Sequence, residues 1–353
     1  MVAPPLLRNS KGRILTHTAL DLFSGHGWGV AMRKLGVHEH SVDIMPEVRK
    51  TRARNGMTDI VYENAWDVHL AEELSFDTLI ASPPCQTFAL EGNGKGRKAL
   101  KDVIGLINAR KYEDVEELQA SGHDLGDDRT ALVLAPMHYI HKFRPKYVAL
   151  EQVPSVQPIW EAYAEVLKEW GYSVWTGVLK SEQYGVPQTR KRAILLASTE
   201  HEVTVPIPTN SSFNSRDPYT LDEGLPSWKT IGEALGTVTI ENTGRTADYL
   251  KLSKRPNQAV RRFDMPAMTM TFGNDYASAR ILESVADTKE WVIGVGPDLY
   301  DRSEPFTVAH AGKLQSYPDD FVFEGSKFSQ FKQVANSVPP AMAENILKHL
   351  WQM

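Results

Sequence analysis

The only cysteine of this chain, Cys85, lies in a segment whose residue types could perform nucleophilic chemistry, Ala81–Gln86. An apolar run over residues 77–81 leads into this segment and predicts a buried strand. Two prolines, Pro83 and Pro84, then end the strand and stiffen the chain. We therefore expect a thiol on a rigid turn at the end of a strand, where open α/β sheets bind their ligands. A free cysteine is often only a small buried apolar residue, so Cys85 alone does not establish a site.

A glycine-containing turn, Asp21–Gly29, follows one expected strand and precedes an expected helix. Gly25 and Gly27 allow the backbone to approach a ligand closely. Asp43 ends the next apolar run, near the distance expected for a carboxylate that binds a ribose. The spacing differs from that of dinucleotide sites, which favours an adenosyl ligand without phosphates. An ordinary turn is the alternative interpretation.

Three further segments place polar side chains at the ends of expected elements. Glu151 ends an apolar run and could be a partly buried acid that donates a proton near neutral pH, or an exposed strand-end residue. Arg190 and Arg192 share a face if a strand begins there; a solvated basic turn is the alternative. The segment 333–340 is a polar turn fixed by two prolines, or an ordinary helix entry.

Apolar runs alternate with helical periodicity from about residue 20 to residue 196. This alternation predicts an α/β fold with a doubly wound, mostly parallel sheet. A polar segment, 91–128, interrupts it, and segments of this length are usually functional or disordered. We expect strands at Ala19–Phe23, His40–Ile44, Thr78–Ala81, Tyr147–Glu151, Ser173–Leu179 and Arg192–Ala197. We expect helices at Val30–Leu35, Met45–Asn55, Arg129–Phe143, Trp160–Trp170 and Ala341–Leu350.

After a linker rich in Pro, Asn and Ser, short strand-like pieces and many turn residues predict a smaller, mostly β or irregular domain. We expect one domain over 1–205, completed by 327–353, and a second domain over 206–326. Within the second domain, a basic run without an acidic residue predicts either contacts with phosphates or a solvated loop. Its basic residues are Lys251, Lys254, Arg255, Arg261 and Arg262.

The composition is that of an ordinary globular protein, with 42% hydrophobic and 24% charged residues among 353. The net charge of −5 argues only weakly against a nucleic-acid binder, because the distribution of charge decides. A single cysteine excludes an internal disulfide and a cysteine-rich zinc site, and it fits a reducing cytosol. The sequence shows neither a signal peptide nor an apolar run of membrane-spanning length, so we expect a cytoplasmic protein.

In order and identity, these segments resemble the DNA (cytosine-5)-methyltransferases, which use S-adenosylmethionine. The resemblance runs from Asp21 to Leu350 except for the middle of the second domain, and Lys313–Phe321 adds a sixth match. It implies a Rossmann-like class I methyltransferase fold with 1–205 as catalytic and cofactor-binding domain and 206–326 as target recognition domain. It also implies a monomer of a prokaryotic or phage-infected cell that needs no metal. The implied reaction is methyl transfer to carbon 5 of a flipped cytosine in a specific duplex DNA site.

The resemblance gives Cys85 the role of attacking carbon 6 of the cytosine. Glu151 matches a glutamate that holds and protonates ring nitrogen 3, and Arg192 matches an arginine that contacts the base. Arg190 would support that pocket or the DNA backbone. The resemblance implies substrate contacts for Pro84 and Gln86, and we expect phosphate contacts from Lys254 and Arg255. The residues implied to hold the cofactor are Asp21, Phe23, Ser24, Gly25, His26, Gly27, Trp28, Asp43, Ile44, Asn64, Ala65, Asn336 and Ser337.

Three positions depart from the family pattern. Gln152 replaces an asparagine, Trp28 stands where a glycine is common, and Thr307–His310 stands where the family often has Arg and Glu. The alternatives are a tRNA cytosine-5 methyltransferase of the same family, a cytosine alkyltransferase with a modified cofactor, and a binding protein that keeps the fold without turnover. Competition between DNA and tRNA, and the mass of the product base, would separate them.

Overall fold

The larger sheet contains seven strands, in the order β3-β2-β1-β4-β5-β7-β6. The computed structural model describes residues 17–84, 100–123, 125, 128–252, 260–271, 279–283 and 302–353. Pairs β1–β2, β2–β3, β1–β4 and β4–β5 are parallel, and β7 is antiparallel to β5. The predicted doubly wound, mostly parallel sheet is therefore confirmed. Its strands are β1 Thr18–Leu22, β2 His38–Val42, β3 Ile60–Tyr62, β4 Thr78–Ala81, β5 Tyr147–Gln152, β6 Ser173–Lys180 and β7 Lys191–Ser198.

Helices separate these strands, as the sequence pattern predicts. A tryptophan at the end of the last helix, Trp351, donates its indole N–H to Thr78 Oγ1 of β4 (3.1 Å), which attaches that helix end to the sheet. In this part of the chain the helices are α1 Gly27–Leu35, α2 Pro46–Arg54, α3 Leu100–Asn108, α4 Val115–His123, α5 Asp128–Ala131, α6 Ala135–Phe143 and α7 Gln157–Glu169. The remaining helices are α8 Ile231–Leu235, α9 Val308–Leu314, α10 Lys327–Asn336 and α11 Pro340–Trp351.

Two sequence-based expectations differ from the structure. The helix expected over 129–143 is divided into α5, a 3₁₀ turn at Leu132–Leu134, and α6. Pro136 has no N–H to bond back to residue 132, so a continuous α-helix cannot form there. The polar segment 91–128 contains α3 and α4, which bury Val103 and Leu118 against the core.

The residues divide into two compact units. The first contains the described residues up to Leu179, together with Lys191–Ile207 and Ala343–Met353. The second contains Lys180–Arg190 and Pro208–Met342. The division differs from the expected domains in giving 180–190 and 327–342 to the second unit.

The second unit contains a small antiparallel sheet in the order β11-β10-β8-β9. Helix α10 belongs to this unit because it packs against α9, with Phe331 stacked on Phe306 at a ring-centroid distance of 6.1 Å. The short strands and many turns agree with the expected mostly β or irregular texture. These strands are β8 Tyr249–Lys251, β9 Val260–Arg262, β10 Arg280–Leu282 and β11 Ser303–Pro305.

Two helices of the second unit begin with a capping box, in which side chains satisfy the first backbone N–H groups. In α8, Thr230 Oγ1 accepts from the N–H of Glu233, and Glu233 accepts from the N–H of Thr230. In α9, Thr307 pairs in the same way with His310, whose Nδ1 accepts from the N–H of Thr307 (3.2 Å). An imidazole can accept this bond only while Nδ1 carries no proton.

The His310 cap makes the stability of α9 depend on pH. Burial, followed by the charge of Lys313, lowers the pKa of His310 below its usual value. The unfolded chain therefore binds a proton more readily, so the stabilisation by neutral His310 is complete above about pH 6.5 and is lost as the pH falls through the folded-state pKa.

We predict that His310→Glu, which supplies a carboxylate acceptor, reduces the loss of thermal stability between pH 7.5 and pH 5.5. The expected gain at the lower pH is about 1 kcal/mol, the usual contribution of a helix cap. Melting temperatures of the wild type and the variant across this pH range measure it. Other histidines are common to both proteins, so equal pH dependence in the two would contradict the assignment.

Candidate active site

The expected cofactor turn begins where β1 ends. Phe23 and Gly25 both have positive φ angles, 57° and 47°, which only the left-handed region provides. The N–H of Ser24, between them, donates to Val42 O at 3.1 Å and ties the turn to β2. A Cβ added at Gly25 would meet no atom within 4 Å, so the backbone there faces open space. The turn thus presents bare main chain to a ligand.

A carboxylate from the next strand end completes this turn. Asp43 accepts from the N–H of Gly25 (3.0 Å) and from the N–H of Met45 (2.9 Å) with its two oxygens. Burial raises the pKa of Asp43, and these two hydrogen bonds partly oppose the rise. Strand β2 ends at Val42 rather than at the predicted residue 44, which leaves Asp43 in the turn itself. The neighbouring Ile44 is 62% exposed and offers an apolar surface beside the carboxylate.

Buried charges lie beneath the turn. Arg52, fully buried on α2, donates to Gly25 O (2.9 Å) and forms an ion pair with Glu39 (Nη2···Oε2 2.6 Å). A Cβ at Gly29 would lie 2.6 Å from Glu39 Oε2, so the glycine makes room for this carboxylate. Burial, followed by the charge of Glu39, raises the pKa of Asp21 well above its usual value.

Further residues that we expect to hold the cofactor also lie in the first unit: Ser24, His26, Gly27, Asn64 and Ala65. Asn64 Oδ1 accepts from the N–H of Trp66 (3.1 Å), so the amide oxygen closes a local turn. The carbonyl of Ala65 accepts from the hydroxyl of Tyr139 (2.9 Å), which itself lies 3.0 Å from that of Tyr62. Ser24 and His26 are buried, and Gly27 begins α1.

The segment that leads to the cysteine is described as far as Pro84. The N–H of Ser82 donates to Leu22 O (3.3 Å), and its hydroxyl oxygen accepts from the indole N–H of Trp28 (2.9 Å). Pro83 O accepts from Gln152 Nε2 at 2.7 Å. Trp28 is 1% exposed, so its ring is part of the core rather than of an open pocket. Cys85 and Gln86 lie outside the described residues.

Glu151 and Arg192 form an ion pair, with Arg192 Nε 2.7 Å from Glu151 Oε1 and both side chains almost fully buried. The strand register produces this pair. Glu151 of β5 lies opposite Ile194 of the antiparallel β7, and Arg192, two residues from Ile194, projects from the same face. Since Ala81 of β4 is level with Leu150 of β5, the ion pair lies at the sheet end from which Ser82 continues. A carboxylate, a guanidinium and the turn before the cysteine therefore occur at one end of the sheet.

Other expected site residues lie in the second unit. Strand β7 begins at Lys191, so the argument that placed Arg190 on one face with Arg192 does not hold. The buried Arg190 guanidinium donates to the carbonyls of Met270 (3.1 Å) and Ala335 (2.7 Å). Asn336 is the last residue of α10, and the carbonyl of Ser337, which follows it, accepts from Gln315.

The expected phosphate-binding run is described only at its ends. Lys251 is buried on β8, and desolvation lowers its pKa. On β9, the Arg261 guanidinium lies 4.8 Å from the Phe213 ring centroid, and Arg262 pairs with Asp264 at 2.5 Å. These ends do not form an exposed basic stripe. Lys254 and Arg255 lie outside the described residues.

The sequence model of the C-5 cytosine-specific DNA methylases matches residues 119–352. The chain belongs to this family. Membership makes it a DNA cytosine-5-methyltransferase.

Curated relatives cover nearly all of the methyltransferase. The type II methyltransferase M1.HphI of Haemophilus parahaemolyticus is 25% identical, over 95% of this chain and 87% of its own length. The putative type II methyltransferase M.MJ0563P of Methanocaldococcus jannaschii is also 25% identical, over 94% and 98% respectively. The solved Dnmt2 methyltransferase of S. pombe matches 95% of this chain and 98% of its own with a TM-score of 0.64 and 15% identity. The fold is that of the class I methyltransferases, as predicted.

The described parts of the methyltransferase contain neither a candidate metal site nor a candidate membrane-spanning helix. Among those residues, no group of three or more His, Cys, Asp or Glu side chains could hold a metal ion. No helix within the same residues is long and apolar enough to cross a bilayer.

Sequence reasoning missed three residues that shape this methyltransferase site: Glu39, Arg52 and Ser82. The sequence gives only a weak signal for the Glu39–Arg52 pair: β2 and α2, two neighbouring elements, each contain a charged residue. Ser82 carries no signal, because its role depends on Trp28 approaching it in space. All three act by holding the turns on which the expected site residues lie.

We predict that Arg52→Met destabilises the enzyme by about 3 kcal/mol, because Glu39 would keep a buried charge without its partner. Adding Glu39→Gln should recover part of the loss. Urea unfolding followed by circular dichroism measures both. The matched control is Arg110→Met, which removes an exposed ion pair with Glu169 (3.1 Å, side chains 55% and 61% exposed) and should cost less than about 1 kcal/mol. Similar losses from the two single variants would refute the buried-pair argument.

Proposed function

We propose that this methyltransferase transfers a methyl group from S-adenosylmethionine to carbon 5 of a cytosine flipped out of a specific duplex DNA site. The observation that carries the proposal is the buried Glu151–Arg192 ion pair at the sheet end from which the Ser82–Pro84 turn leads to Cys85. Membership of a family of C-5 cytosine-specific DNA methylases supports the same reaction.

The residues of the first unit fit an adenosyl cofactor. Open space at Gly25, a carboxylate at Asp43 and an exposed apolar side chain at Ile44 suit an uncharged sugar with a flat base. Each Asp43 oxygen has a further lone pair for a ribose hydroxyl. When bound, S-adenosylmethionine supplies an electrophilic methyl group on a sulfonium. Asn336 and Ser337 stay candidates for its methionine end.

Carbon 5 of cytosine is a weak nucleophile, and covalent catalysis overcomes this weakness. The Cys85 thiolate adds to carbon 6, and the electron pair of the 5,6 double bond becomes available at carbon 5. Glu151 holds ring nitrogen 3 and transfers a proton to it, which neutralises the charge that develops in the ring and leaves the Glu151 carboxylate paired with Arg192. Arg192 keeps the Glu151 carboxylate in one orientation and contacts the base. After methyl transfer, loss of the carbon 5 proton expels the thiolate and restores the aromatic ring.

The substrate must be extruded from the helix, because neither face of carbon 6 is accessible within a stacked duplex. We assign target recognition to 206–326, with Lys254 and Arg255 as candidate phosphate contacts and Pro84 and Gln86 beside the base. Type II relatives favour DNA over tRNA as the substrate and an enzyme of the prokaryotic cytoplasm. We expect this enzyme to act as a monomer.

The deciding experiment is incubation with isotope-labelled S-adenosylmethionine and either duplex DNA or tRNA, followed by mass spectrometry of the hydrolysed bases. Labelled 5-methylcytosine from DNA is expected. Label in tRNA alone or on adenine would each replace the proposal, and so would a heavier alkyl group on cytosines of DNA from an expressing host. Bisulfite sequencing of DNA from an expressing host would then identify the target site.

We predict that Cys85→Ala abolishes methyl transfer and also abolishes covalent trapping on DNA that contains 5-fluorocytosine. Glu151→Gln should lower the rate about 10²- to 10⁴-fold, the usual range for loss of an acid–base group. The matched control, Glu169→Gln, changes an exposed glutamate on α7 and should keep wild-type activity. Trapping that persists in Cys85→Ala would show that another residue is the nucleophile.

A further inference from the structure

The turn before Cys85 cannot hold itself in place through its own backbone. Pro83 and Pro84 have no N–H to donate, so only the Ser82 N–H, the Ser82 side chain and the carbonyls can fix it. Within the first unit, Leu22 O accepts from the N–H of Ser82 at 3.3 Å, and Gln152 reaches Pro83 O at 2.7 Å. The third contact is the indole N–H of Trp28, 2.9 Å from Ser82 Oγ.

Trp28 belongs to the cofactor turn as much as to the core. It is the second residue of α1, directly after the Gly25–Gly27 segment, and its buried ring cannot swing independently of the helix. Gly25 is itself fixed by Asp43 at its N–H and by Arg52 at its carbonyl. A ligand that binds against Gly25 therefore acts on a main chain that carries, three residues later, the buried Trp28 side chain bonded to Ser82.

We propose that Trp28 is a positioning residue that couples the cofactor turn to the Ser82–Pro84 turn that precedes Cys85, so that cofactor binding changes the reactivity of Cys85. This inference rests on the proposed function. Coupling between two sites is reciprocal, so the same hydrogen bond also affects cofactor affinity when the cysteine is modified. A change of about fivefold is expected, the factor to which one net hydrogen bond corresponds.

The sequence provides a clean reporter for this coupling. Cys85 is the single cysteine, so a thiol reagent added to the full chain reports on no other residue. The probe is S-adenosylhomocysteine at saturating concentration, and the measured quantity is the rate of labelling with and without it. In the wild type we expect the two rates to differ about fivefold or more.

Trp28→Phe keeps an aromatic ring and removes the N–H, so its labelling rate should respond little to S-adenosylhomocysteine. Ser82→Ala removes the acceptor and should give the same result, and it decides the question if Trp28→Phe does not fold. Steady-state methylation by either variant should show a lower kcat with a nearly unchanged KM for S-adenosylmethionine. A purely structural role would instead reduce the active fraction without removing the labelling response.

The matched control is Trp160→Phe, because Trp160 is also a fully buried tryptophan of the first unit whose N–H donates to a carbonyl, that of Ala193 (3.2 Å). It should keep the wild-type response. An equal response in wild type and Trp28→Phe would mean that the cofactor shields the thiol directly, and would overturn the proposal. Wild type that binds S-adenosylhomocysteine in calorimetry without any labelling response overturns it too. Failure of wild type to bind at all would instead contradict the proposed cofactor.

Discussion

Two consecutive prolines remove the main-chain donors from the turn that precedes Cys85, and the surrounding first unit is arranged to replace them. The replacement donors come from two elements, the first turn of α1 and the end of β5, while the carbonyl end of β1 accepts from the one remaining main-chain donor, the N–H of Ser82. These elements meet only because β1, β4 and β5 are adjacent parallel strands that end at the same edge. The position of the Ser82–Pro84 turn is thus a property of the sheet, and not of the Pro-Pro sequence alone.

The first unit also contains charged groups that would be costly to bury singly. Glu151 is compensated by Arg192, and Glu39 by Arg52. Burying one charge without its partner costs several kcal/mol, so each pair is held in a narrow range of geometries. For Glu151 this restriction has a chemical consequence. A carboxylate already oriented by a guanidinium needs little reorganisation when charge develops in a bound base.

Local patterns predicted the sheet well, because its central strands are continuous apolar runs bounded by turn residues. They could not predict contacts that depend on pairing between distant strands. Nothing near Glu151 in the sequence indicates that β7 runs antiparallel to β5, yet that register brings Arg192 to it. Arg190, two residues earlier, precedes β7 and donates to main-chain carbonyls of the second unit. The division of one basic motif between two units follows from where β7 begins.

The replacement of asparagine by Gln152 can now be interpreted physically. Gln152 donates to Pro83 O, and its own Oε1 accepts from the N–H of Val153 at 2.5 Å, so its amide bridges two backbones. Among the described contacts of Glu151, orientation comes from Arg192 instead. A longer side chain at residue 152 therefore alters how the Ser82–Pro84 turn is held, and not how the glutamate is aimed. On this argument the departure from the family motif is compatible with the proposed acid–base role of Glu151. Trp28, another departure, contacts the same turn through Ser82.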